Sequence, residues 1–286
     1  MSGLDCIPAR DLGECLGALE KYAGEAALVA GGTDLHIVMR ARQRTPRVLI
    51  YVGNLPELKY AKEDKGEISF GPTLTHTEIA CDGILSQVRS LQRAASSIGS
   101  PQIRNVGTAG GNLANASPAG DLYPPLLTLD AKVVLQGIGG KREVGLEDLV
   151  KSPGVTTIAP TEIIGGIHFQ APPAEFHSNF LKIGLRNALA ISVANAAIMA
   201  TSRDGKFEDV RIACGAVAPR AMRMRKTEAL LAGEQPTAEL VREAGEIASK
   251  ECDPITDIRA TKTYRRHVVG VIVTRLVEEA WHQLVA

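Results

Sequence analysis

The stretch Gly99-Ser100-Pro101-Gln102-Ile103-Arg104-Asn105-Val106-Gly107-Thr108-Ala109-Gly110-Gly111-Asn112 constrains this chain more than any other segment. It is long and rich in glycine, and Arg104 is its lone charge. A solvated linker would be more polar, so this composition indicates backbone laid closely around something. A shorter segment has the same character. The apolar run Ala26 to Ala30 reads as a buried strand and leads straight into Gly31-Gly32-Thr33-Asp34. Glycine has no Cβ, so consecutive N–H groups in such turns can converge on an anion at close range. Thr33 and Thr108 can add hydroxyl donors, and Asn112 an amide.

Neither segment is a GxGxxG or a GxxxxGK[ST] motif, which argues against a Rossmann dinucleotide site and a P-loop. One such glycine pair alone is equally well a tight turn without a ligand. Two of them, with Ser117-Pro118-Ala119-Gly120-Asp121 close behind, form a constellation. Asp121 has two compatible readings. It can accept hydrogen bonds from the ribose or adenine of a dinucleotide, and it can cap a helix starting at Leu122.

The chain has 286 residues, enough for two or three packed units. The spacing of Leu12, Cys15, Leu16, Leu19 and Tyr22 predicts a helix over 11–22. Further helices are expected over 86–98, 122–129, 237–249 and 262–284. Strands are expected over 48–52, 67–70, 132–135, 162–169 and 179–183. A hairpin over 192–215 turns at Asp204-Gly205. A boundary is expected at Pro172-Pro173, near 172–178.

Formal net charge is zero, with no basic stripe of the kind nucleic-acid binders carry. No run approaches the roughly 18 apolar residues of a membrane helix. Met1 to Arg10 does not read as a signal peptide. The five cysteines are scattered with no CxxC, and the six histidines show no HExxH. Neither a disulfide framework nor a metal or iron–sulfur site on this chain is expected, and a cytoplasmic location is.

Val29-Ala30-Gly31-Gly32-Thr33-Asp34 and Thr108-Ala109-Gly110-Gly111-Asn112, followed by Ser117-Pro118 and Asp121, resemble the FAD-binding (medium) subunits of the xanthine dehydrogenase and carbon monoxide dehydrogenase molybdenum hydroxylase family. Ile98 to Asn105 and Lys182-Ile183-Gly184-Leu185-Arg186 fit the same pattern. The likeness extends over essentially the whole chain. The second glycine segment with its trailing SPxxD is the specific part.

The resemblance implies an α+β fold. A two-lobed FAD-binding domain of the PCMH type would cover 1–175, with lobes of about 1–55 and 56–175. A C-terminal domain of a three-stranded sheet and a helical bundle would cover 176–286. FAD would be held without a covalent bond. Leu28, Val29, Ala30, Gly31, Gly32, Thr33 and Asp34 would line the pyrophosphate on one side. Thr108, Gly111, Asn112 and Asn115 would line it on the other, with Ile98, Gly99, Gly110 and Ala114 completing the site. Asp121 would meet the ribose or adenine end, and Ile163, Ile164 and Lys182 the flavin.

In such complexes a molybdopterin-binding large subunit oxidises the substrate and a small subunit carries two 2Fe–2S clusters. The flavin passes electrons on to NAD, quinone, ferredoxin or oxygen. Molybdopterin and clusters are expected only on the partner subunits, and no residue here is expected to be catalytic. The cysteine-bearing insertion of the benzoyl-CoA-type reductase branch is missing, and Ala190 stands where many members carry aspartate. Aromatics make up only 4% of residues, and Tyr123 reads either as a stacking ring or as a core tyrosine. Replacing Asn112 or Asp121 by alanine is expected to lower FAD retention without unfolding the chain. The competing reading is a stand-alone flavin oxidoreductase with its own substrate, which would need an acid or base near the flavin.

Overall fold

The computed structural model describes residues 4–285. Met1–Gly3 and Ala286 lie outside them, so the reading of the first ten residues is only partly covered. The first lobe contains β1 (Asp5–Pro8), α1 (Leu12–Lys21), β2 (Ala26–Val29), α2 (Leu35–Arg40) and β3 (Val48–Tyr51). The sheet order is β1-β3-β2, and both pairings are parallel. Asp11 caps α1 by accepting from Glu14 N at 2.7 Å, and the helix buries Cys15, Leu16 and Leu19 against Val48 and Ile50. β2 therefore delivers the chain into the first glycine turn from a fixed sheet.

The second lobe starts with β4 (Ala61–Asp64), β5 (Glu67–Phe70), α3 (His76–Cys81), α4 (Arg89–Ser97) and α5 (Pro101–Arg104). It continues through α6 (Ala109–Asn115), α7 (Tyr123–Thr128), β6 (Lys132–Gly137), β7 (Gly140–Gly145) and α8 (Leu146–Leu149). It ends with β8 (Val150–Ser152), β9 (Val155–Thr156) and β10 (Ile163–Gln170). An antiparallel sheet runs β4-β5-β10-β6-β7, while β8 and β9 pair with each other. Its core gathers Phe70, Leu91, Leu113, Leu126, Leu135 and Ile167.

The rest of the chain forms β11 (His177–Gly184), β12 (Ser192–Arg203), β13 (Lys206–Gly215) and β14 (Met222–Arg223). These are followed by α9 (Arg225–Leu231), α10 (Ala238–Glu251) and α11 (Lys262–Leu284). The helices cover one face of the sheet, with Ile272, Val273 and Leu276 of α11 in one core with Ile198 and Ile212. Phe180, Ala197 and Ala213 join the second lobe's core instead, which fastens the sheet to it. At the β12–β13 turn Asp204 and Gly205 both have positive φ, 52° and 74°, as a tight hairpin requires.

Three expectations are corrected. The C-terminal sheet has four strands, because β14 pairs Arg223 with Ala213 and Met222 with Cys214. The helix expected over 86–98 starts at Arg89, since Val88 is extended and only a short 3-10 turn, Leu85–Gln87, precedes it. Asp121 does not cap α7. Leu122 occupies the cap position, and no side chain caps there.

Candidate functional site

The two glycine segments face each other across a cleft, and they do different work. The last sheet bond of β2 runs from Val52 N to Val29 O at 2.9 Å. Beyond it, the backbone N–H groups of residues 30 to 35 bond to no acceptor among the described residues. That leaves six consecutive backbone donors unpaired at a strand end. Gly31 permits a close approach, because a Cβ there would lie 1.8 Å from Val106 O. Gly32 has a φ of +68°, a conformation side chains disfavour.

The second segment's backbone is already satisfied. Ala109 N donates to Leu74 O at 2.9 Å and Gly110 N to Pro72 O at 2.7 Å. Gly111 N donates to Thr108 Oγ1 at 3.2 Å and Asn112 N to Thr108 O at 3.0 Å. A second backbone nest is therefore corrected to a helix start that offers side chains. Thr108 Oγ1 accepts the cap bond, which leaves its own proton for a ligand. Gly111, Ala114 and Asn115 are exposed on one face of α6. A Cβ on Gly111 would meet nothing nearer than Thr108 Oγ1 at 3.1 Å and would otherwise occupy the cleft.

The cleft has two connected hollows of ≈ 380 Å³ and ≈ 510 Å³, each within the range of ligand pockets. Leu28, Ala30, Arg44, Thr108, Gly111 and Ala114 border both, so the donor row and the α6 face meet at the junction. The first hollow continues past residues 29 to 34 to His76, Ile98, Ile103, Asn112 and Asn115. The second ends at Ile158, Ile163 and Ile164, beside Val52 and Leu58. At its rim the Arg142 guanidinium grips Glu162 with two bonds of 2.7 Å and holds that carboxyl below its usual range.

Of the residues singled out in the sequence, Gly99, Asp121 and Lys182 do not border the cleft. Gly99 lies behind it, with φ +51° and its carbonyl accepting from Arg104. Asp121 is buried and accepts from Lys182 Nζ at 2.5 Å and from Ser192 Oγ and Asn195 Nδ2 at 2.6 Å each. Lys182 Nζ also donates to Ser97 O, next to Ile98, at 3.2 Å. Asp121 and Lys182 are thus one ion pair, tied to Ser97 O beside Ile98 of the first hollow. Placing Asp121 and Lys182 at opposite ends of one ligand is accordingly corrected.

Tyr123 is a core tyrosine whose hydroxyl donates to Leu113 O at 2.6 Å. Arg44 and His76 are among the cleft residues that the sequence reading did not single out. Thr75-x-x-Glu78, a capping box that starts α3, was the available sign of an ordered turn at His76. Arg44 gave no sign, because its loop has no periodicity.

Such a cleft, lined by both lobes, has room for an elongated ligand. Residues 2–172 match the family model described as the FAD binding domain in molybdopterin dehydrogenase. Residues 179–280 match the CO dehydrogenase flavoprotein C-terminal domain. The chain belongs to this family of molybdenum hydroxylase flavoprotein subunits. It is 31% identical to the nicotinate dehydrogenase FAD-subunit of Eubacterium barkeri, over 99% of this chain and 98% of that one. It is also 31% identical to the nicotine 6-hydroxylase medium subunit of Paenarthrobacter nicotinovorans, over 90% of each. In structure it is similar to carbon monoxide dehydrogenase from Hydrogenophaga pseudoflava, with a TM-score of 0.94, 28% identity and 98% of both chains covered.

Proposed function

We propose that this chain is the FAD-binding subunit of a molybdenum hydroxylase complex. It would take electrons from the 2Fe–2S clusters of a small partner subunit and deliver them to an external acceptor. Hydroxylation would take place on a molybdopterin-binding large subunit. The observation that carries this reading is the row of six free N–H groups at residues 30 to 35, facing Thr108 and Gly111 across a cleft of dinucleotide size. The wall also fits FAD. A side chain at Gly111 would meet only Thr108 Oγ1 at 3.1 Å and would fill the cradle. When bound, FAD supplies one- and two-electron chemistry between clusters and acceptor.

The nest and the Thr108 hydroxyl would hold the diphosphate. Arg44, which makes no ion pair or hydrogen bond among the described residues, borders the junction and would add a charge. The apolar slot at Ile158, Ile163 and Ile164 suits the adenine. The Ile98 end suits the flavin ring, because Lys182 and its Asp121 partner stand behind it, where a cation favours an electron-rich ring. We read the chain as domains of 1–175 and 176–286, since residues 171–176 form no helix or strand. A cytoplasmic setting accords with the scattered free cysteines, and among the described residues no helix is long and apolar enough to cross a membrane.

The visible spectrum of the gently purified chain, together with its co-purifying bands, tests the proposal. Flavin bands with FAD released on heating, plus two unrelated partner chains, are expected. Colourless protein that stays colourless with added FAD would overturn it. Turnover of an organic substrate by the chain alone would favour a self-contained flavin enzyme.

A further inference from the structure

Helix α2 is apolar and yet buries nothing. Four of its six residues, Leu35, Ile37, Val38 and Met39, are apolar, and none of them is buried. Leu35 and Val38 lie three apart on one face and border the first hollow, not the second. Ile37 lies off that face and is 66% exposed. A ligand in the hollow would cover Leu35 and Val38 and leave Ile37 in water.

The helix runs into a stretch of one charge sign. Between Leu35 and Pro56 the sequence holds four arginines and no aspartate or glutamate. Arg47 pairs with Glu25, and Arg44 borders the hollows. Arg40 and Arg42 are exposed and make no ion pair or side-chain hydrogen bond among the described residues. They sit on an ordered turn. Ala41 N donates to Ile37 O at 3.0 Å and Gln43 N to Val38 O at 2.9 Å. Arg42 takes a φ of +54°, which side chains disfavour. Arg40 follows Ile37 by three residues and so neighbours it on the helix surface.

An exposed aliphatic residue beside unpaired cations matches an acidic partner surface with an apolar centre. We propose that Ile37, Arg40 and Arg42, the outer face of α2 and the turn after it, dock the small 2Fe–2S subunit through an acidic surface of that subunit. This rests on the subunit reading above. Two observations select that partner. The inner face of the same helix lines the hollow assigned to the flavin, so a chain seated outside is separated from the ligand by one helix, about 10 Å across. The bare aliphatic surface suits a permanent subunit, whereas an acceptor that comes and goes docks through more polar surface.

The complex would be purified on the full-length chain, co-expressed with both partner subunits. Wild type would be compared with Ile37→Glu and with the double variant Arg40→Glu, Arg42→Glu. Ile138→Glu, at the β6–β7 turn and 65% exposed, controls for a charge placed on an exposed isoleucine. FAD per chain and melting temperature are read in each. Ile37→Glu should keep its FAD and bind the 2Fe–2S subunit at least about tenfold more weakly. The double variant should also lose that subunit, with a smaller deficit at high salt than at low salt. In the wild type, the amides of residues 36 to 42 should exchange more slowly in the complex than in the FAD-loaded chain alone. That comparison decides if Ile37→Glu does not fold, and equal exchange would overturn the proposal. Retention of the small subunit by Ile37→Glu, an equal loss with Ile138→Glu, or loss of the large subunit alone would also overturn it. So would an intact variant complex whose flavin is reduced at the normal rate and reoxidised slowly, since the surface would then belong to the acceptor. A wild-type chain that brings down no 2Fe–2S subunit, or takes up no FAD, overturns this assignment and the subunit reading together.

Discussion

Arg44 and His76 border the same cleft in opposite states, one charged and exposed, the other buried and neutral near pH 7. Arg44 is exposed and unpaired at the junction of the two hollows, so its charge is available to a diphosphate but screened by salt. Arg44→Gln should weaken FAD binding several-fold at low salt and flatten its salt dependence, while riboflavin binding stays unchanged. An identical salt slope in titrations of both proteins would remove Arg44 from the site. His76 is buried, and its folded-state value of about 4 lies below the usual 6.5. A depressed histidine leaves stability intact above pH 6.5 and reduces it as pH falls toward 4, because the unfolded chain takes up the proton first. The shift corresponds to about 3 kcal/mol. Between pH 7 and 4.5 the flavin-free wild type should therefore lose more stability in urea melts than His76→Phe, and parallel losses would contradict the burial argument.

At the level of elements, Thr108 has two tasks, and substitutions can separate them. Its Oγ1 caps α6 through Gly111 N, and its free proton faces the cleft. Thr108→Ser should keep both. Thr108→Ala should lose about 1 kcal/mol of cap energy and weaken FAD as well. If thermal and binding measurements show a stability loss with unchanged affinity, the hydroxyl belongs to the helix alone. The sequence displayed β2 and β3 as short apolar runs, and the helices α1, α10 and α11 through their apolar spacing. It displayed the β12–β13 turn through Asp204-Gly205. The short elements β14, α5 and α9 were not legible, because they are held by distant partners and not by local pattern. Arg223 of β14, for example, is fixed by Asp130 and Glu228. The glycines of the site were legible for the same reason reversed, since close backbone approach leaves a mark in composition. The saturation of the second segment was not, because Leu74 O and Pro72 O come from a different part of the chain.

Over the whole molecule, Asp121 adds a polar link between two units that also share core residues. It belongs to the second lobe, while Lys182, Ser192 and Asn195 belong to the C-terminal sheet. The pair is nearly sealed, with side-chain exposures of 12% for Lys182 and 6% for Asp121. Removing one partner of a buried pair leaves an uncompensated charge, at a cost of about 3–5 kcal/mol. Asp121→Ala should therefore lower the melting temperature by about 10 °C, and flavin loss would follow from that loosening. This revises the sequence-based expectation of intact stability. A calorimetric scan matching wild type, with flavin lost, would restore a direct ligand contact.

The open row of donors at residues 30 to 35 also bears on how the subunit matures. Without its cofactor, this stretch has no internal bonds to shield its amides. Those amides should exchange with deuterated water within seconds in the flavin-free chain and become slow once FAD is added, while the β3 amides beside them stay slow throughout. Equal exchange in both states would mean that the row is not where the phosphates rest. If protection does appear, the cofactor is itself the last piece of secondary structure the lobe acquires, and an assembling complex could tell a finished subunit from an unfinished one by the stiffness of a single turn.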